Sequence, residues 1–172
     1  VWFGEPGTEP PPFAAFDCFI APASHTFAFK GLWNCNWLQA LEVGIDPVHP
    51  SFLHRFFEDE ALGQSYGQQF RAASAGNIDG QQWPMSRVMR ECHQPEIMYE
   101  PTAWGMRLTT LRKISDQATH VRVTQSVFPQ SFVIPLSESM TITQFHVPVD
   151  DTHTYWYSIF TSFKDAIDKD AM

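Results

Sequence analysis

Trp104-Gly-Met-Arg-Leu-Thr-Thr-Leu-Arg-Lys-Ile114, His120-Val-Arg-Val-Thr-Gln-Ser-Val-Phe128, Met140-Thr-Ile-Thr-Gln-Phe-His-Val147 and His153-Thr-Tyr-Trp-Tyr-Ser-Ile-Phe-Thr-Ser-Phe163 follow one another through the C-terminal part of the chain. Each run is rich in Thr, Val, Ile and aromatic residues, the side chains that fit a pleated, half-buried surface. Turn residues separate them: Ser115-Asp116, Pro129-Gln130, and Pro148 to Asp151. Four successive strands with short connections favour an antiparallel sheet. Upstream the period changes. From Asn36 to Phe57, Trp37, Leu41 and Val43 to Ile45 recur at helical spacing, followed by Leu53, Phe56 and Phe57. Pro47 and Pro50 should kink or break that helix. One helix and a curved sheet give an α+β class.

Composition bounds what such a domain can do. The 172 residues suit one domain with a real core, and hydrophobic residues make up 44% of them. Eleven Lys plus Arg against 19 Asp plus Glu leave a net charge of −8, which argues against a nucleic-acid groove. No apolar run is long enough to span a membrane. The start, VWFGEPGTEPPP, has neither the basic region nor the apolar region of a signal peptide. Three cysteines (Cys18, Cys35 and Cys92) form no spaced framework and read as reduced thiols in a cytoplasmic protein. Residues 1–13 hold Gly4, Pro6, Gly7, Pro10, Pro11 and Pro12, and read as an extended linker after the end of an upstream strand, Val1 to Phe3. Lys164 to Met172 reads as the first turns of a helix. Abrupt ends on both sides suggest a piece of a longer protein.

The chemistry-bearing segment runs Asn36-Trp-Leu-Gln-Ala-Leu-Glu-Val-Gly-Ile-Asp46-Pro-Val-His49-Pro-Ser-Phe-Leu-His54. Asp46 and His49, three apart, are neighbours on a helix face. His49 and His54 are five apart, about 140° out of register on a regular helix, so a shared metal needs a distorted turn between them. Pro50 supplies a cause for one. Two imidazoles and a carboxylate are the ligand set of mononuclear non-haem Fe(II) sites. Two histidines beside a helix break also serve as ordinary surface or core residues.

Asn36 to His54 resembles the signature of the catalytic domain of Rieske non-haem iron ring-hydroxylating oxygenases, Asn-Trp-x-x-x-x-Glu followed by Asp-x-x-His-x-x-x-x-His. Val147-Pro-Val-Asp-Asp-Thr-His-Thr-Tyr-Trp-Tyr157 is similar to the phthalate-dioxygenase-like branch of their alpha subunits. The resemblance implies a helix-grip fold, a curved antiparallel sheet packed around a helix. It makes His49 and His54 ligands of a mononuclear Fe(II). It makes Asp46 a catalytic carboxylate, bridging towards the Rieske cluster of a neighbouring subunit in a homotrimer. It also implies an aromatic acid and dioxygen as substrates, and a reductase as electron source. Residues 1–13 would then be the linker leaving an absent Rieske domain, and 14–172 a partial catalytic domain. The chain has no Cys-x-His…Cys-x-x-His motif, so a [2Fe–2S] cluster belongs to the intact enzyme and not to this chain, which alone should be inactive. A third ligand, an Asp, is expected beyond Met172. Asp165, Asp168 and Asp170 are in-chain candidates that read better as solvated acids. Val43 stands where many relatives carry Asn.

Other residues invite a role. Asn36, Gln39 and Glu42 share a face and could stand behind the iron ligands or pack under the sheet. In the strand from Met106 to Ile114, one face reads Met106, Leu108, Thr110, Arg112 and Ile114. A buried arginine needs a partner. For Arg112 that partner could be a substrate carboxylate or an acidic side chain of the protein. His153 could cap a turn or pair with Asp151. Glu58 to Glu60 reads as solvated surface. The rival to the oxygenase reading is a non-catalytic helix-grip module that binds an aromatic ligand.

Overall fold

Alternating apolar residues and short turns build one seven-stranded sheet. In the computed structural model, residues 4–10, 15–54, 74–78, 80–170 and 172 are described. The expectations for Val1 to Phe3, residues 11–13, Phe56, Phe57 and Glu58 to Glu60 lie outside those residues. Residues 4–10 are exposed and carry neither helix nor strand.

The four expected strands form within a residue or two of their expected ends: β5 (Gly105–Lys113), β6 (Thr119–Val127), β8 (Met140–Pro148) and β9 (Thr154–Ser162). Three more join them: β1 (Thr26–Trp33), β4 (Glu96–Thr102) and β7 (Ser131–Ser137). The sheet order is β1-β9-β8-β7-β6-β5-β4, antiparallel throughout. A separate hairpin pairs β2 (Ser74–Ile78) with β3 (Gln81–Pro84). The architecture is α+β, as expected.

Helix α2 (Trp37–Ile45) lies against β7 and β8. Asn36 caps it: its side chain accepts the Leu38 N–H at 2.9 Å, and Gln39 reaches back to the Asn36 N–H at 3.3 Å. Gly44 meets the ring of fully buried Phe132, and a Cβ there would overlap that ring. Glycine is therefore what lets α2 sit close to the sheet. The opposite face of the sheet is partly covered by α1 (Asp17–Ile20), where the Phe16 and Phe19 rings lie 5.3 and 5.8 Å from Phe145.

The helix expected from Lys164 does not form within residues 164–170, where bends at 164–165 and a turn at 169–170 flank irregular backbone. Two of their N–H groups bond to partners other than a helical carbonyl four residues back. The Asp165 N–H donates to Ser162 Oγ at 3.3 Å, and the Ile167 N–H donates to the Ser24 carbonyl at 2.8 Å. Among the described residues, no helix is long and apolar enough to cross a membrane.

Candidate metal site and ligand cavity

The site begins where α2 stops. Asp46 precedes a proline, which disfavours helical backbone, and it takes extended angles (φ −66°, ψ 114°). Its carboxylate then organises the next turn. Oδ1 accepts the Val48 N–H at 2.8 Å and Oδ2 accepts the His49 N–H at 3.2 Å. The Asp46 carbonyl lies 2.7 Å from His49 Nδ1. A carbonyl can only accept, so Nδ1 carries the proton and Nε2 of neutral His49 keeps its lone pair. A metal-binding histidine needs this arrangement.

Pro50 starts a one-turn helix, α3 (Pro50–Leu53), with His49 at its N-cap and His54 at its C-cap. The five-residue spacing is thereby reconciled with convergence: the two ring centroids are 5.3 Å apart, with the planes at 75°. Asp46, His49 and His54 all line one cavity of about 580 Å³. Its other walls are mostly apolar: Trp33, Ile134, Leu136, Ile142 and Trp156 from the sheet, with Met85 and Met89 from α4 (Met85–Glu91). Val43 also borders it, so an apolar side chain occupies that position.

The arginines divide differently from the sequence reading. Register places Leu108, Thr110 and Arg112 beside Thr124, Arg122 and His120 on one face of the sheet. Arg112 is 1% exposed, yet it is not among the cavity-lining residues. One terminal nitrogen donates to the Pro47 carbonyl at 2.6 Å, while Nε and Nη1 are buried without a hydrogen bond. Arg122 is the arginine on the cavity wall. Its Nε is likewise buried and unbonded, and burial, with the Arg112 charge beside it, lowers its pKa to about 10. The alternation argument applied to Arg112 finds Arg122 as well when applied to the next strand, where His120, Arg122, Thr124 and Ser126 share a face.

Other candidates fall away from the cavity. Asn36 and Gln39 cap α2, Glu42 is exposed, and none of the three lines the cavity. His153 pairs with Asp150 at 2.9 Å instead of Asp151. The Thr152 N–H and His153 hold the Asp150 carboxyl down at about 2. Asp165, Asp168 and Asp170 are not cavity residues. Among the described residues, no three His, Cys, Asp or Glu side chains converge as a metal-binding group. The site offers two imidazoles, with the Asp46 carboxylate close by and engaged by its own turn. It fits two positions of a two-histidine, one-carboxylate centre.

The whole chain, residues 1–172, matches the family model described as LigXa C-terminal domain like. The chain belongs to this family. The oxygenase subunit of phthalate 4,5-dioxygenase from Pseudomonas putida is 32% identical over 131 residues, 74% of this chain and 27% of that protein. The oxygenase subunit of tert-butanol monooxygenase / tert-amyl alcohol desaturase from Aquincola tertiaricarbonis is 26% identical over 174 residues, 95% of this chain and 34% of that protein. This chain therefore spans about a quarter to a third of the length of these relatives. Among solved structures, the oxygenase and ferredoxin complex of carbazole 1,9a-dioxygenase matches 85% of this chain and 39% of that one, at 15% identity and a TM-score of 0.45. The family match and these relatives uphold the oxygenase resemblance read from Asn36 to His54.

Proposed function

We propose that this chain is the catalytic-domain portion of a Rieske-type oxygenase that hydroxylates the ring of an aromatic acid or removes its O-methyl group. The observation that carries the reading is the convergence of His49 and His54 on the wall of an apolar cavity, with His49 locked in the tautomer that frees Nε2. His49 and His54 would hold a mononuclear Fe(II), and a carboxylate outside residues 1–172 would complete the set. Bound there, iron supplies the activation of dioxygen. Asp46 orients His49 through its carbonyl and carboxylate. It is also our candidate for the carboxylate that meets the electron-delivering cluster of a neighbouring subunit in a trimer. Trp33, Ile142 and Trp156 give an aromatic ring an apolar slot and exclude water. The two guanidiniums, Arg122 on the wall and Arg112 behind it, favour an anionic substrate. An electron-transfer reductase and a Rieske domain preceding residues 1–13 complete the reading.

The test uses the full-length protein. Iron content and Fe(II) affinity are measured for the wild type, His49→Ala and His54→Ala, together with oxidation of aromatic acids when reductase, NADH and dioxygen are supplied. Wild-type protein should bind iron and turn over, and each alanine variant should lose both. Iron bound equally by all three, or a wild type that binds aromatic acids without iron or turnover, overturns the reading. The second outcome leaves a binding module.

A further inference from the structure

We infer that Arg112 is a positioning residue for the metal site: it holds the Pro47 carbonyl, and through it the turn that aims His49. This rests on the reading of His49 and His54 as metal ligands. Arg112 is 1% exposed, and only one of its nitrogens has a partner, the Pro47 carbonyl at 2.6 Å. A buried guanidinium with no counter-ion among the described residues is costly, and an apolar side chain would fill the same space without that cost. What the charge serves is that short bond, stronger than a neutral one because the donor is ionised.

Its location gives it leverage. Pro47 lies between Asp46 and His49, in the break between α2 and α3. The other polar groups of the turn are committed locally. Asp46 takes the Val48 and His49 N–H groups, the Asp46 carbonyl takes His49 Nδ1, and the Val48 carbonyl takes the Ser51 N–H at 2.9 Å. These bonds shape the turn but do not fix it against the sheet. Among the described residues, the Arg112 bond is the one hydrogen bond from the sheet to residues 46–49. Without it, the turn keeps its internal form but loses its anchor. The His49 ring can then shift with the turn relative to His54, which sits beyond α3.

Co(II) serves as the spectroscopic metal in the full-length protein. Arg112→Met, which removes the donor and keeps most of the volume, should lower Co(II) affinity at least tenfold, the range seen when groups supporting metal ligands are removed. It should also change the Co(II) electronic spectrum. Arg112→Lys, still a charged donor, should recover most of the affinity. Arg107→Met, on the outer face of the same strand, controls for loss of positive charge. Wild-type affinity and spectrum in a folded Arg112→Met protein overturn the inference, as does an equal loss in Arg107→Met. If Arg112→Met does not fold, Arg112→Lys decides. Lysine, shorter than arginine and without its planar fork, reaches Pro47 less well and should lower affinity about threefold and alter the spectrum, and wild-type values for both overturn the inference. Wild-type Co(II) binding by His49→Ala and His54→Ala would instead overturn the metal reading beneath it.

Discussion

Arg112 and Arg122 stand one strand apart on the same face, and their surroundings give them different work. Arg112 is turned towards Pro47, while Arg122 borders the cavity, its Nε buried and unbonded. Each lacks an acidic partner among the described residues, and burial lowers the pKa of both. A ligand carboxylate at Arg122 would meet a charge already taken out of water, where a charge-assisted hydrogen bond is strongest. Arg122→Met should weaken binding of an aromatic acid by about 1.5–3 kcal/mol, the scale of a hydrogen bond to a charged group. The corresponding aromatic amide should bind about as before. Calorimetry with the two ligands on wild-type and variant full-length protein checks this, and equal losses for acid and amide would make Arg122 a packing residue. Strand alternation reveals that an arginine must lie inside. Which arginine reaches the cavity depends on where α2 and the Pro47 turn sit above the sheet, and that is a tertiary fact.

At the level of elements, the sequence is most legible where one physical signal dominates. Pro47 and Pro50 break the helical run as expected, because a proline constrains the residue before it and supplies no N–H. The strands missed are those with mixed signals. β7 carries Pro135, which usually argues against a strand interior; here pairing with β6 ends at Val133, so Pro135 has a ladder on one side only. β4 mixes Glu96, Glu100 and Pro101 into an edge strand, where solvent faces one side. β1 pairs with β9 from the far end of the sequence, and local pattern cannot announce such a partner. The close approach of α2 to the sheet was equally hidden. It rests on Gly44 against Phe132, so Gly44→Ala sets two effects against each other. Alanine favours helix by up to about 1 kcal/mol over glycine. Overpacking against a fully buried ring costs about 1–3 kcal/mol. Steric cost should win, lowering the denaturant midpoint, and Phe132→Leu in the same chain should recover part of the loss. A stabilised Gly44→Ala protein would show that α2 has room to spare.

Across the whole molecule, two histidines tie stability to pH. His146 lies on β8 near the middle of the sheet, fully buried between Trp33 and Phe132, with ring centroids 5.6 and 5.3 Å away and no hydrogen bond to either nitrogen. Burial lowers its pKa to about 4. His120, on β6, is also lowered to about 4, first by burial and then by the charges of Arg112 and Arg122. In the unfolded chain both return to about 6.5. Between those values the unfolded state binds protons that the native state refuses, so stability falls as pH drops from about 6.5 to about 4, and is fully retained above that window. The upper limit is roughly 3 kcal/mol per ring. Asp150 adds its own loss only in a separate, more acidic window, as pH falls from its ordinary 3.8 to its folded value of about 2. Because β8 pairs with both β7 and β9, protonation of His146 should weaken the sheet as a whole and not one loop. His146→Phe isolates the effect: a similar ring keeps the stacking and leaves no nitrogen to protonate, and replacing an unbonded buried polar group by an apolar one is neutral or stabilising. Denaturant unfolding of wild type and His146→Phe from pH 7.5 to pH 4 should show similar stability at the upper end and a shallower acid loss in the variant. Parallel curves would mean that His146 takes up its proton in the native state as readily as in the unfolded one.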